Sequence, residues 1–87
     1  MKEIISMYQN LIAKHLANTD VKYELLLKRR IENNEGSATL ILKNGSAIMY
    51  IAYRTNKSLD IATHAAYNDL LDHLFQKALE KITEEHY

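Results

Sequence analysis

Eighty-seven residues suffice for one domain with a single modest core and are too few for two. Apolar residues make up 47% of the chain, with no apolar run long enough for a membrane helix and no cysteine for disulfides or thiolate metal sites. The formal net charge is zero but unevenly divided: residues 1–57 carry nine Lys/Arg against five Asp/Glu, and residues 58–87 carry two against six. The front part is basic enough to meet a polyanion, whereas two solvated faces would need no partner. The opening "MKEIISMYQN" mixes charge into its first apolar residues, unlike a secretory leader, so a cytoplasmic, reducing setting is expected.

Taken in chain order, Ile4, Ile5, Tyr8, Leu11, Ile12, His15 and Leu16 recur every three or four residues, which predicts a helix over 2–17 ended by "ANTD". "KYELLLKRRIE" (22–32) reads as a strand and "NNEG" (33–36) as a four-residue hairpin loop. A second strand over 37–43 meets a third over 46–54 through Asn44-Gly45, a strong hairpin signal. Ser58 is a suitable N-cap for a last helix running to about residue 84, with Asp60 in its first turn where the helix dipole favours an anion. The expected fold class is α+β: a three-stranded antiparallel meander in the order α-β-β-β-α, with both helices on one face.

A two-residue turn at 44–45 pairs Lys43 with Ser46, placing Ala38, Leu40 and Leu42 beside Ile51, Met49 and Ala47 on one apolar face. The loop at 33–36 adds Tyr23, Leu25, Leu27 and Ile31, with Leu27 beside Leu42 and Ile31 beside Ala38. That register also turns Arg29 inward beside Leu40 and Met49, so its guanidinium must snorkel past the edge, pair with a carboxylate such as Asp69 or Asp72, or mark a bulge. Snorkelling is the favoured expectation. The outer face then holds Lys28, Arg30, Thr39, Ile41, Lys43, Ile48, Tyr50 and Arg54. It is more apolar than an open face should be, which implies that something covers it.

The last helix, "SLDIATHAAYNDLLDHL" (58–74), carries Ala62, Ala65 and Ala66 where larger residues would bury more surface. Small side chains let it approach the sheet and the first helix, while Leu59, Leu70, Leu71 and Leu74 fill the space left. Together with "KYELL" (22–26) and the hairpin around Asn44-Gly45, this stretch resembles the double-stranded RNA-binding domain family. That family has the same αβββα order, and its final helix combines a serine, a KKxAK segment, an alanine cluster and spaced leucines. Ser58, Ala62, Ala65, Ala66, Leu71 and Leu74 match those positions. The topological likeness covers roughly residues 3–75, and the whole chain, 1–87, is read as one such domain. The family's lysines fall on Leu59, Asp60 and Thr63, so the basic helix start that bridges phosphates in the family is absent; "NNEG" likewise offers no cation or histidine.

Two readings of function follow and stay open. In the first, the chain is a homodimeric RNA-binding protein in which Lys28, Arg29, Arg30, Lys43, Arg54 and Lys57 contact RNA phosphates and Tyr50 stacks a base. A short, free-standing chain of this composition also looks like small phage-encoded accessory proteins, some of which bind RNA and restrain host ribonucleases; the setting would then be the host cytoplasm. In the second, the chain is a protein-interaction or homodimerisation module without nucleic acid. Its interface would include Ile41, Ile48 and Tyr50 on the sheet. The last helix, about 40 Å at 1.5 Å per residue, would overhang the sheet with Phe75, Leu79 and Ile82 on an apolar stripe. No cofactor or metal is expected: His15, His64, His73 and His86 lack ligand spacing, and His15 reads as a core-edge residue. With two glycines and no nucleophile elbow, catalysis is not expected.

Overall fold

The computed structural model describes residues 2–17 and 23–85, with side chains through residue 80. The element order is α1 (Lys2–Leu16), β1 (Tyr23–Glu32), β2 (Glu35–Asn44), β3 (Ala47–Asn56) and α2 (Leu59–Glu85). The strands form an antiparallel sheet in the order β1-β2-β3, and both helices contribute to one core on one side of it. The α+β meander expected from the sequence is therefore the observed fold. The segment "ANTD" is outside the described residues beyond Ala17.

The first hairpin turns more tightly than its sequence suggested, and the second keeps a two-residue turn but moves it by one position. Asn33 and Asn34 each have positive φ, 51° and 63°, and Glu32 pairs with Glu35. This is a two-residue turn with both central residues left-handed, the type I′ geometry that matches strand twist and that asparagine tolerates. Leu27 consequently lies opposite Leu40, and Ile31 opposite Gly36. The β1–β2 register thus shifts by two residues and keeps the same alternation; Leu25 and Leu27 pack against the core as expected, but Tyr23 and Ile31, at the two ends of β1, are exposed and do not line it.

At the second hairpin Asn44 pairs with Ala47, leaving Gly45 (φ 62°) and Ser46 as the turn. A positive φ at the first central residue alone is the glycine-first type II′ pattern. Lys43 pairs with Ile48, but Leu42 pairs with Tyr50, so Met49 is an extra residue on β3. A one-residue bulge inverts every side chain beyond it. Tyr50, Ala52 and Arg54 therefore face the helices, while Ile51, Tyr53 and Thr55 face away. This corrects the expectation that Ala47, Met49 and Ile51 line the core and that Tyr50 and Arg54 lie on the outer face; Ala47 pairs with Asn44 at the hairpin end and is exposed.

The core is built from Ala38, Leu40, Leu42 and Ala52 on the sheet, Ala62, Ala66, Tyr67, Leu70 and Leu74 on α2, and Tyr8, Ile12 and Leu16 on α1. Leu11 and His15 complete no part of it; both are exposed, so the buried stripe of α1 is narrower than its periodicity implied. α2 lies over β2 and β3, and α1 packs beside α2. The small residues explain that closeness. Ala62 and Ala66 are fully buried, and a Cβ placed on Gly36 would lie 2.6 Å from Leu59 Cα. The helix start thus sits against bare strand backbone.

Polar groups fix the two helices in place. Ser58 accepts a hydrogen bond from the Ile61 amide (3.4 Å), and its own amide donates to Asn56 Oδ1 (3.0 Å), so it caps α2. Between the helices, Tyr8 stacks on Tyr67 with ring centroids 4.9 Å apart. The Tyr8 hydroxyl donates to Asn68 Oδ1 at 3.2 Å and lies 3.1 Å from His64 Nδ1, which donates to it in the Nδ1-protonated tautomer.

Candidate interaction surface on the open sheet face

The helices leave the second face of the sheet uncovered. Alternation along each strand and the observed pairing assign its side chains row by row. The first row is Glu24, Lys43 and Ile48; the second is Leu26, Ile41 and Ile51; the third is Lys28, Thr39 and Tyr53; the fourth is Arg30, Ser37 and Thr55. Glu32 and Glu35 close the far end beside the Asn33-Asn34 turn. There Glu32, Asn33, Glu35, Ser37, Tyr53 and Thr55 surround a shallow 160 Å³ depression, too small and open for a substrate pocket.

The second row is a continuous apolar band across all three strands, flanked on β3 by Ile48 and Tyr53. Ile48 is 58% exposed, Ile51 50% and Tyr53 61%. Burying such side chains against a partner is favourable by roughly 25 cal/mol per Å², and exposed apolar clusters rimmed by charge mark interaction sites.

Charge on this face is balanced, with Lys28, Arg30 and Lys43 set against Glu24, Glu32 and Glu35. Arg30 pairs with Glu32 on its own strand, and Glu24 sits directly opposite Lys43 across the ladder. Lys28 lies opposite Thr39 and forms no ion pair among the described residues.

The cations expected to act together are divided by the fold. Lys28, Arg30 and Lys43 share the open face, whereas Arg29 and Arg54 point to the helices. Arg29 neither snorkels free nor meets Asp69 or Asp72. Its NH2 group bonds Asp60 Oδ1 at 2.9 Å, and its Nε donates to Thr63 Oγ1 at 3.1 Å. The Thr63 hydroxyl in turn donates to the Leu59 carbonyl at 2.8 Å, so the inward arginine is tied to the first turn of α2.

Arg54 holds Asp69 with two bonds, Nε to Oδ2 at 2.6 Å and NH2 to Oδ1 at 2.8 Å. That hydrogen bond holds the Asp69 carboxyl below its ordinary pKa, partial burial opposes the shift, and the Arg54 charge adds to it. Two carboxylates of α2 are thus engaged with arginines of the sheet. Tyr50, expected to stack a base, instead stacks on His73 of α2 with centroids 4.1 Å apart. Lys57 sits exposed in the link between β3 and α2.

The expected dimer contacts are divided as well. Ile41 and Ile48 belong to the open face and Tyr50 does not, while Phe75 and Leu79 are exposed on α2, across the sheet from that face. The Ile82 side chain is outside the described residues. Sequence reasoning missed Leu26, Ile51 and Tyr53, which complete the apolar band. The available signal was that β3, "AIMYIAYRTN", is apolar at both odd and even positions near its start, as a strand with a bulge should be.

Among the described residues no three metal-ligating side chains cluster, and no helix is long and apolar enough to cross a membrane. Comparison of the chain with protein-family models, with curated proteins and with solved structures returns no match in any of the three.

Proposed function

We propose that this chain is a non-catalytic protein-interaction module, built on a scaffold of the double-stranded-RNA-binding-domain kind, that binds through the open face of its sheet. The observation that carries this reading is the apolar band Leu26–Ile41–Ile51, half-buried on β1 and β2 and exposed on β3, where Ile48 and Tyr53 extend it. A duplex-RNA platform calls for uncompensated cations. Here Arg29 and Arg54 are spent on α2, Arg30 on Glu32, and the start of α2 presents Asp60. The α-β-β-β-α order supports the scaffold assignment, and nothing in that order requires the scaffold's usual ligand.

RNA binding is the second reading, favoured by one observation: Lys28, Arg30 and Lys43 lie on the same face as an exposed aromatic, Tyr53. One experiment separates the two. Wild type and Ile51→Glu are compared, after circular dichroism shows both folded, for capture of protein partners and for anisotropy of labelled single- and double-stranded RNA at low salt. Partner capture lost in Ile51→Glu, with no RNA affinity in either, supports the module. RNA affinity that falls steeply with salt and disappears in Lys28→Glu replaces it with the second reading, and capture indifferent to Ile51→Glu removes the open face from the account.

A further inference from the structure

We infer that the partner seated on the open face is a second copy of this chain, docked face to face about a twofold axis that crosses the strands at the apolar band. The inference rests on the reading of that face as a protein-interaction surface and adds the identity and register of the occupant.

A twofold interface must be self-complementary, and the rows of the face test where an axis can pass. An axis along the strands would set Lys43 against the partner's Lys43 and Glu35 against the partner's Glu35, because β2 is central and would lie over itself. An axis across the strands at the third row would oppose Lys28 to the partner's Lys28. Placed across the second row, the axis lays Leu26, Ile41 and Ile51 over their own symmetry mates, and Ile48 over the partner's Tyr53. It also brings Glu24 opposite the partner's Lys28, twice by symmetry. Lys28, which forms no ion pair within its own chain among the described residues, then gains one. The Arg30–Glu32 pair is untouched at the rim.

The overlap is three rows on three strands, roughly 14 by 20 Å at about 4.8 Å between strands and about 6.6 Å between rows. That footprint falls below the roughly 1,200 Å² of total buried surface typical of stable complexes. The dimer is accordingly weak and concentration-dependent, held by a dry apolar centre and oriented by the two charge pairs.

The test is sedimentation equilibrium from micromolar into the sub-millimolar range on wild type, Glu24→Lys, Lys28→Glu, an equimolar mixture of those two variants, and Ile51→Glu. Wild type should dimerise reversibly. Each charge variant alone, facing like charges twice, should weaken dimerisation at least tenfold, and their mixture should restore it, since both contacts become Glu–Lys again. Ile51→Glu should be monomeric with an unchanged circular dichroism spectrum, because that side chain is half exposed in the single chain.

A wild type that stays monomeric throughout overturns the second copy, while the proposed function survives if Ile51→Glu still abolishes capture of a different protein. A wild-type dimer indifferent to Ile51→Glu overturns the face-to-face dimer, and overturns the proposed function as well only if capture of other proteins is equally indifferent; a mixture no tighter than its components overturns the register.

Discussion

Replacing Gly36 with alanine should destabilise this protein although it adds a single carbon. The added Cβ would lie 2.6 Å from Leu59 Cα, 2.9 Å from Leu59 Cβ and 2.9 Å from Leu59 N. Two of these atoms are backbone, so no side-chain rotation relieves the clash. Ordinary contact begins at 3.4 Å, so the start of α2 must move about 0.8 Å. That displacement disturbs the 3.1 Å bond from Arg29 to Thr63 and the 2.9 Å bond from Arg29 to Asp60, whose acceptors both sit at the start of α2.

Overpacking of this kind costs about 1–3 kcal/mol, and the stiffer unfolded chain returns about 0.4–1 kcal/mol. A net loss of roughly 1–2 kcal/mol is expected. It should appear as a Tm lowered by about 4–8 °C for each kcal/mol in a chain of this size, and as an earlier midpoint in urea with the slope unchanged. Because the same movement loosens Arg29, Arg29→Ala should cost less in the Gly36→Ala background than in wild type. A variant as stable as wild type, or strict additivity with Arg29→Ala, would refute the close approach of α2 to bare backbone.

Three further outcomes follow from other features of the fold. The Tyr67 hydroxyl is buried, with no partner in good hydrogen-bond geometry among the described residues, and the Gln9 side chain is near enough to act on it. Tyr67→Phe should therefore be neutral or stabilising by up to about 1 kcal/mol, measured by urea unfolding. Burial raises the Tyr67 pKa above its ordinary value, with the Gln9 side chain and the Arg29 charge opposing. The stability linked to this phenol is thus complete below about pH 10 and lost as pH climbs through the raised value; melts between pH 9 and 11 should be flatter in the variant.

Asp69 is shifted the other way, so its contribution is present above the ordinary carboxylate pKa of about 3.9 and is lost as pH falls through the depressed value. Asp69→Asn should lose less stability than wild type between about pH 4 and pH 2, and parallel acid curves would contradict the pairing with Arg54.

Deleting Met49 would ordinarily invert the strand beyond it, but here it removes the one unpaired residue. The variant should fold cooperatively at a cost of no more than about 2 kcal/mol. Loss of folding would place the bulge elsewhere.

The primary sequence by itself determined the element order, the capped start of α2 at Ser58, and the inward faces of β1 and β2. Each rests on a local signal: a 3.6-residue period, a capping serine, or an alternation that survives a two-residue change of register. The alanines of α2 were equally legible as a sign of close packing, although the bare backbone they complement, at Gly36, lies 23 positions from Leu59 and cannot be paired with it from periodicity.

What only the tertiary structure decided was the side on which β3 presents its residues. The strand is apolar at odd and even positions alike, so its pattern fits either face, and the choice rests on whether one residue bulges where the sheet meets α2. Inserting that single residue moved Tyr50 and Arg54 beneath the helix, sent Ile51 and Tyr53 outward, and changed the open face from a cationic platform into an apolar band with balanced charge. The pairings Arg29–Asp60 and Arg54–Asp69 were hidden for the same reason: ion pairs depend on distances between elements, and those distances are set by how α2 crosses the sheet.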